Sequence, residues 1–123
     1  MAQTKGGQGL GLFVKGQVLK VLFPFSDLSG AKKRPGLVVA NIRGDDTILC
    51  QITSQNDDHD PYAIPLTSAD FEDGDLRQSS FIRPSKLFTA DPTIITGVIG
   101  YLKQGKADET EQAIIRIIQS KQK

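Results

Sequence analysis

The stretch "LFPFSDLSGAKKRPGLVVA", from Leu22 to Ala40, places two apolar, strand-like segments on either side of a polar connection. That connection, from Ser26 to Pro35, is ten residues long, about twice the length that a tight hairpin needs. It ends in three consecutive cations, Lys32, Lys33 and Arg34. Long connections in compact domains are often functional. We therefore interpret Ser26 to Pro35 as a mobile flap that presents cations to an anionic ligand, with Pro35 setting where the second strand begins.

Composition is that of a single globular domain. The chain has 123 residues, of which 38% are hydrophobic and 24% charged, so it can build one core of ordinary size. A lone cysteine, Cys50, cannot form an internal disulfide, and no apolar segment approaches the roughly 18 residues of a membrane span. We expect a cytoplasmic protein with a flexible Gly-rich arm at 1–13 and one domain at 14–123.

Charge is segregated along the chain. Residues 1–44 carry seven Lys or Arg and one acid, whereas residues 45–75 carry nine Asp or Glu and no Lys or Arg. Such segregation suits an anionic ligand on a cationic face, but it also suits an ordinary solvated surface.

Hydrophobic patterning predicts many short strands followed by one helix. Strands are predicted for 18–25, 36–40, 47–55, 62–66 and 93–103, and for two short segments on either side of Pro84. Pro65 points to an edge strand, and 68–76 is predicted to be a polar connection with one helical turn. We expect a mainly β fold with helices (α+β), built as a small, strongly curved antiparallel sheet or barrel.

The C-terminal segment has helical spacing. Its apolar residues fall on one predicted face: Ala113, Ile114, Ile117 and Ile118. Asp108, Glu109 and Glu111 are predicted to lie near the helix start, where the helix dipole favours anions.

Two candidate chemical sites are weak. His59 lies among Asp57, Asp58 and Asp60, but the spacing matches no calcium loop and adjacent side chains cannot all point inward, so we interpret it as a solvated acidic loop and predict no metal site. Cys50 alternates onto the apolar face of its strand and is predicted to be a core residue rather than a nucleophile.

The remaining candidates are cationic or polar. They are Lys32, Lys33, Arg34, Thr53, Ser54, Gln55, Arg83, Ser85 and Lys86. Guanidinium groups with hydroxyl or amide donors can stabilise the charge that develops on a phosphodiester in its transition state. RNA also brings its own nucleophile, the 2′-hydroxyl. The competing interpretation is structural, with Arg34 and Arg83 paired to surface carboxylates and Thr53 packed in a strand.

A family resemblance runs from about Val14 to Gln119. Its marks, in order, are "KGQVLKVLFPFSDLSGAKKRPGLVVA", "DTILCQITSQ" and "SFIRPSKLFTAD", followed by a strand and a helix. In this order the chain resembles the PemK/MazF-type toxins of bacterial toxin–antitoxin pairs. The resemblance implies a small SH3-like barrel that forms a homodimer.

The resemblance also implies an activity. It implies a cofactor-independent endoribonuclease that cuts single-stranded RNA, leaves a 2′,3′-cyclic phosphate and a 5′-hydroxyl, and is blocked by a cognate antitoxin. Operator DNA would be bound only together with that antitoxin.

Site residues follow from matching positions. The family's catalytic Arg before Pro corresponds to Arg34, and its catalytic Thr or Ser corresponds to Thr53. The implied RNA-binding residues are Lys32, Lys33, Ser54, Gln55, Arg83 and Lys86. Two positions depart from the pattern: Gln17 replaces an Asp, and Ser85 stands where one branch has a carboxylate that serves as a base.

Other function classes remain open at this level. One is a non-catalytic member that binds nucleic acid or antitoxin in operon autoregulation, and another is a generic SH3-like interaction module. Phe23 and Phe25 could stack an unpaired base or pack in the core.

Overall fold

The computed structural model describes residues 13–24, 31–42, 44–54 and 60–121. Within these residues the chain forms seven strands, one α-helix and two 3₁₀ turns. The strands are β1 (Gln17–Pro24), β2 (Ala31–Asn41), β3 (Thr47–Thr53), β4 (Ile64–Leu66), β5 (Phe71–Gly74), β6 (Ser80–Ala90) and β7 (Ile95–Leu102). Helix α1 spans Gln104–Gln119, and the 3₁₀ turns span Ser68–Asp70 and Pro92–Ile94.

All strands belong to one antiparallel sheet in the order β4-β6-β3-β2-β1-β7-β5. The two edge strands, β4 and β5, follow one another in the chain with only residues 67–70 between them, so the sheet curls until its edges approach. Lys106 of α1 contacts both edge strand β4 and the turn that precedes β5. Its Nζ donates to the Pro65 carbonyl at 3.1 Å and lies 3.7 Å from Oδ1 of Asp70. This half-barrel with a C-terminal helix confirms the predicted fold, and Pro65 lies on an edge strand as expected.

Two hydrophobic clusters lie on opposite faces of the curled sheet, because successive side chains of a strand alternate between its faces. The inner cluster draws on both edge strands and packs against Ala113 of α1; it contains Val18, Leu37, Cys50, Ile52, Ile64, Leu66, Phe71, Ile82 and Leu102. The outer cluster contains Leu19, Val21, Val38, Leu49 and Ala90, and Phe13, Phe23 and Phe88 pack against it. Each fully buried aliphatic side chain contributes about 1.5–3 kcal/mol to folding. The burial of Cys50 confirms its predicted place in the core.

The second strand begins five residues earlier than predicted. It starts at Ala31 rather than Gly36, so the three cations belong to a strand and not to a flap, and Pro35 does not mark the strand's start. The ladder to β1 explains the difference, since Lys33 lies opposite Leu22 and Arg34 opposite Val21. Pairing with a neighbouring strand outweighs the local polarity that suggested a loop. Only residues 25–30 remain between β1 and β2. They include Phe25 and lie outside the described residues.

Pro84 does not break the sixth strand. β6 continues through it, but Arg83 lies opposite Gln51 while Leu87 lies opposite Cys50, so residues 84–86 form a bulge. A bulge tolerates proline because its residues leave the hydrogen-bonded ladder.

The prediction for the C-terminal helix was correct in kind and wrong at its start. Helix α1 begins at Gln104, with Lys103 as an N-cap that makes no side-chain hydrogen bond, and its first turn contains no acid. Ile118 is 72% exposed, so the predicted apolar face is only partly covered. The segment expected to be a polar connection does contain a helical turn, but β5 follows it. No helix in the described ranges is both long and apolar enough to cross a membrane.

Candidate functional site

A cleft of about 260 Å³ opens where β2 begins and β3 ends. Its lining comes from the first residues of β2, the end of β3 and the segment that leads into β6. Its lining residues are Lys32, Lys33, Arg34, Pro35, Ile52, Thr53, Ser54, Leu76, Gln78 and Ser80. Five of the eight residues predicted from the sequence for catalysis or RNA binding therefore share one cleft.

Strand register accounts for the proximity of Arg34 and Thr53. The ladder between β2 and β3 pairs Gly36 with Gln51, and Arg34 and Thr53 each lie two residues beyond this pair on the same side of it. Adjacent strands lie about 4.8 Å apart, and directly opposite residues point to the same face. On its other side Arg34 is paired with Val21, which is fully buried in the outer cluster. The backbone that carries Arg34 is therefore held against β1.

The cleft is cationic. Lys32 and Lys33 are exposed and Arg34 is half-buried, while none of the cleft-lining residues that the structure describes carries a carboxylate. A concave surface of one sign concentrates oppositely charged ligands. A guanidinium beside a hydroxyl can contact two oxygens of a phosphate and stabilise added charge on it.

Arg83 has a different environment, outside this cleft. Its Nε donates to Oδ2 of Asp60 at 2.8 Å, and the two side chains are 19% and 3% exposed. Burial alone would raise the pKa of Asp60, but the hydrogen bonds from Arg83 and from the Tyr62 backbone N–H outweigh burial and hold that pKa below its ordinary value. Lys86 is exposed in the β6 bulge, and its charge also lowers the pKa of Asp60. The predicted RNA-binding residue Gln55 lies outside the described residues.

One cation beside the cleft was missed by sequence reasoning. Arg77 lies between the lining residues Leu76 and Gln78, and its φ of 70° is in the left-handed region that non-glycine residues seldom adopt. The Asp75 carboxylate holds this turn by accepting hydrogen bonds from the Ser68 hydroxyl and from the Arg77 backbone N–H, which together lower the pKa of Asp75. An Asp side chain often bonds the backbone two residues later in a turn. Asp75, two residues before Arg77, is therefore the local signal that could have predicted this turn.

The two weak candidate sites do not contribute described residues to the cleft. His59 and its acidic neighbours at 57 and 58 lie outside the described residues, and the rest of the described chain contains no group of three or more potential metal ligands. Burial raises the pKa of the Cys50 thiol to about 12, and its Sγ donates to the Arg83 carbonyl at 3.0 Å. Such a thiol is protonated at neutral pH and is not a nucleophile.

Comparison with known families decides the class of protein. Residues 15–118 match the family described as PemK-like, MazF-like toxin of type II toxin–antitoxin system. The chain belongs to this family. The matched range contains Arg34, Thr53 and Arg83, and it confirms the resemblance noted in the sequence.

Solved structures support the PemK/MazF-like fold. An endoribonuclease in complex with its cognate antitoxin, from mycobacterial species, superposes with a TM-score of 0.66 at 14% identity, over 90% of this chain and 99% of that one. The Mycobacterium tuberculosis toxin MazF-mt6 superposes with a TM-score of 0.57 at 16% identity, over 80% of this chain and 93% of that one. No curated sequence matches the chain significantly. At these identities the structural likeness concerns the fold alone.

Proposed function

We propose that this PemK/MazF-like toxin is an endoribonuclease that cleaves single-stranded RNA without a metal ion. The observation that carries the proposal is the shared cleft of Arg34 and Thr53, at the level where β2 and β3 run side by side. The family to which the chain belongs and the cationic lining of the cleft support the same conclusion.

The proposed reaction uses a nucleophile that the RNA supplies. The 2′-oxygen forms a bond to the adjacent phosphorus, the bond from phosphorus to the 5′-oxygen breaks, and the products are a 2′,3′-cyclic phosphate and a 5′-hydroxyl. The 2′-hydroxyl loses its proton and the departing 5′-oxygen gains one. In this scheme Arg34 stabilises the charge of the phosphorane and can donate a proton, while Thr53 orients the phosphate or the 2′-hydroxyl.

The other predicted residues hold the RNA backbone. Lys32, Lys33 and Ser54 line the same cleft and would contact phosphates on either side of the scissile bond, and we assign Gln55 to the same role. Arg83 and Lys86 lie on the neighbouring strand β6 and would contact RNA phosphates farther from the scissile bond.

We also propose that the chain forms a homodimer and binds a cognate antitoxin, and that it binds operator DNA only in complex with that antitoxin. The structural relative that was solved with its antitoxin supports the second of these partners. Light scattering at micromolar concentration tests the first: a mass of two chains is expected, and a strict monomer would contradict it.

A non-catalytic, nucleic-acid- or antitoxin-binding role is the second candidate. It is favoured by Ser85, which is exposed in the β6 bulge where a carboxylate base would stand in one branch of the family, and by the engagement of Arg83 with Asp60.

The test is cleavage of a long single-stranded RNA in EDTA, with the 5′ ends of the fragments mapped. We expect discrete cuts that are lost in Arg34→Ala and in Thr53→Ala. Arg116→Ala and Thr89→Ala change exposed side chains of α1 and β6. They are matched controls that should cut RNA like the parent. Intact RNA with the parent protein, or cuts that do not depend on Arg34, would favour the binding role.

A further inference from the structure

Residues of four strands share the outer face of the sheet, the face that carries the outer cluster. Arg34 pairs with Val21 of that cluster, and Gln51 pairs with Gly36 on one side and with Arg83 on the other. Because paired residues point to one face and alternate residues return to it, Arg34, Gln51, Thr53 and Arg83 all lie on the outer face.

Gln51 stands at the centre of this group. It is half-buried on the central strand β3, and two residues along the same strand, about 6.8 Å away, lies Thr53. Arg83 occupies the next strand on one side. On the other side Gly36 leaves room above the backbone.

An aromatic pair fills that room. The Cζ of Phe88 would lie 3.5 Å from a Cβ placed on Gly36, so the end of the ring lies over the glycine that pairs with Gln51. Phe23 meets Phe88 edge to face, with ring centroids 4.6 Å apart, and both rings are half-buried. An apolar aromatic pair therefore lies over the strand position opposite Gln51, and Gln51 is two residues from Thr53 of the proposed cleavage centre.

We propose that Gln51 is a specificity residue, which reads the base of a nucleotide adjoining the scissile phosphate while the Phe23–Phe88 pair contacts the face of that base. An amide offers donors and an acceptor side by side, and it matches a base edge that presents an adjacent acceptor and donor, as adenine does. Unpaired RNA exposes such edges and stacks its bases on aromatic rings. This inference rests on the proposed function.

The experiment compares cut-site preference rather than total activity. Parent, Gln51→Leu and Gln51→Asn cleave one long single-stranded RNA in EDTA to equal extents, and base frequencies are tabulated around every cut. Leucine keeps most of the volume and removes the amide, whereas asparagine keeps the amide but withdraws it by one methylene. Gln112→Leu, on the exposed face of α1, is the matched control, and urea unfolding checks that each variant is folded.

We expect Gln51→Leu to relax the preference at one nucleotide position by roughly tenfold, with the other positions unchanged. Gln51→Asn should lose part of the same preference, and Gln112→Leu should reproduce the parent. An unchanged preference in the folded Gln51 variants would overturn the inference while leaving the nuclease intact, and so would a uniform loss of rate at every site. Intact RNA with the parent would instead remove the proposed function and this inference with it.

Discussion

Two arginines on the outer face of the sheet have different neighbours among the described residues. Arg34 follows two lysines and faces a cleft whose described lining carries no carboxylate. Arg83, on β6, donates to the Asp60 carboxylate at 2.8 Å, and that carboxylate is only 3% exposed.

The difference separates two uses of a guanidinium. A buried carboxylate needs its cation, because an uncompensated charge in the interior costs far more than the pair itself contributes. Three adjacent cations at the start of β2 form a patch that attracts an incoming anion. Arg83 should therefore contribute mainly to folding, and Arg34 mainly to the chemistry of a bound phosphate.

The largest expected effect comes from exchanging these two arginines for alanine and measuring both activity and stability. Arg34→Ala should lower the RNA cleavage rate by about 10²–10³-fold, the loss typical of one transition-state donor, and should destabilise the fold less than Arg83→Ala does. Arg83→Ala should lower the free energy of unfolding by about 3 kcal/mol, because Asp60 stays buried without its partner.

A double variant is the control for that reading of Arg83. Arg83→Ala with Asp60→Asn removes both charges and should recover part of the lost stability. If Arg34→Ala proves the more destabilising of the two single variants, the assignment of Arg83 to folding and Arg34 to chemistry is wrong.

Acid should weaken the Arg83 region selectively. The folded-state pKa of Asp60 is held below its ordinary value by Arg83 and the Tyr62 N–H, despite the opposing effect of burial. Its contribution to stability is therefore present above about pH 4 and is lost as the pH falls through the lower folded-state value. In urea unfolding from pH 6 to pH 2.5, the advantage of the parent over Asp60→Asn should shrink as the pH falls. Asp45→Asn, in an exposed turn, should follow the parent, and an advantage that is constant with pH would contradict the assignment.

The two arginines also mark the limit of prediction from sequence. Strand alternation predicted the core position of Cys50, and helical spacing predicted α1. The start of α1 was missed because Lys103 supplies no capping side chain. The start of β2 was missed because its polarity is typical of a loop, whereas its pairing with β1 is a tertiary effect.

The candidate site was predictable only in part. Arg34 and Thr53 came from the order of family motifs, and the register of β2 and β3 then explains why residues so far apart in sequence share a cleft. No local pattern could have paired Arg83 with Asp60, since 23 residues separate them. The position of Gln51 likewise depends on which strands lie beside it.

Salt dependence should identify the lysines that contact RNA. For single strands, the slope of log affinity against log salt changes by about 0.7 for each phosphate contact. Lys33→Gln should therefore flatten the slope by about 0.7 in binding to an RNA whose scissile 2′-hydroxyl is replaced by hydrogen. Lys121→Gln, an exposed lysine beyond α1, should keep the parental slope; equal slopes for both variants would argue against a phosphate contact at Lys33.

The smallest effect concerns the thiol beneath Arg83. Cys50 is fully buried, its pKa is raised by burial to about 12, and its Sγ donates to the Arg83 carbonyl. An alkylating reagent at pH 8 should therefore label it only when β3 and β6 separate, far more slowly than in urea. Arg83→Ala should accelerate labelling in the absence of denaturant, since it weakens the β6 side of the sheet, whereas Arg34→Ala should label at the parental rate. Equal acceleration by both variants would show that the two arginines support the fold alike, and the contrast between them would be lost.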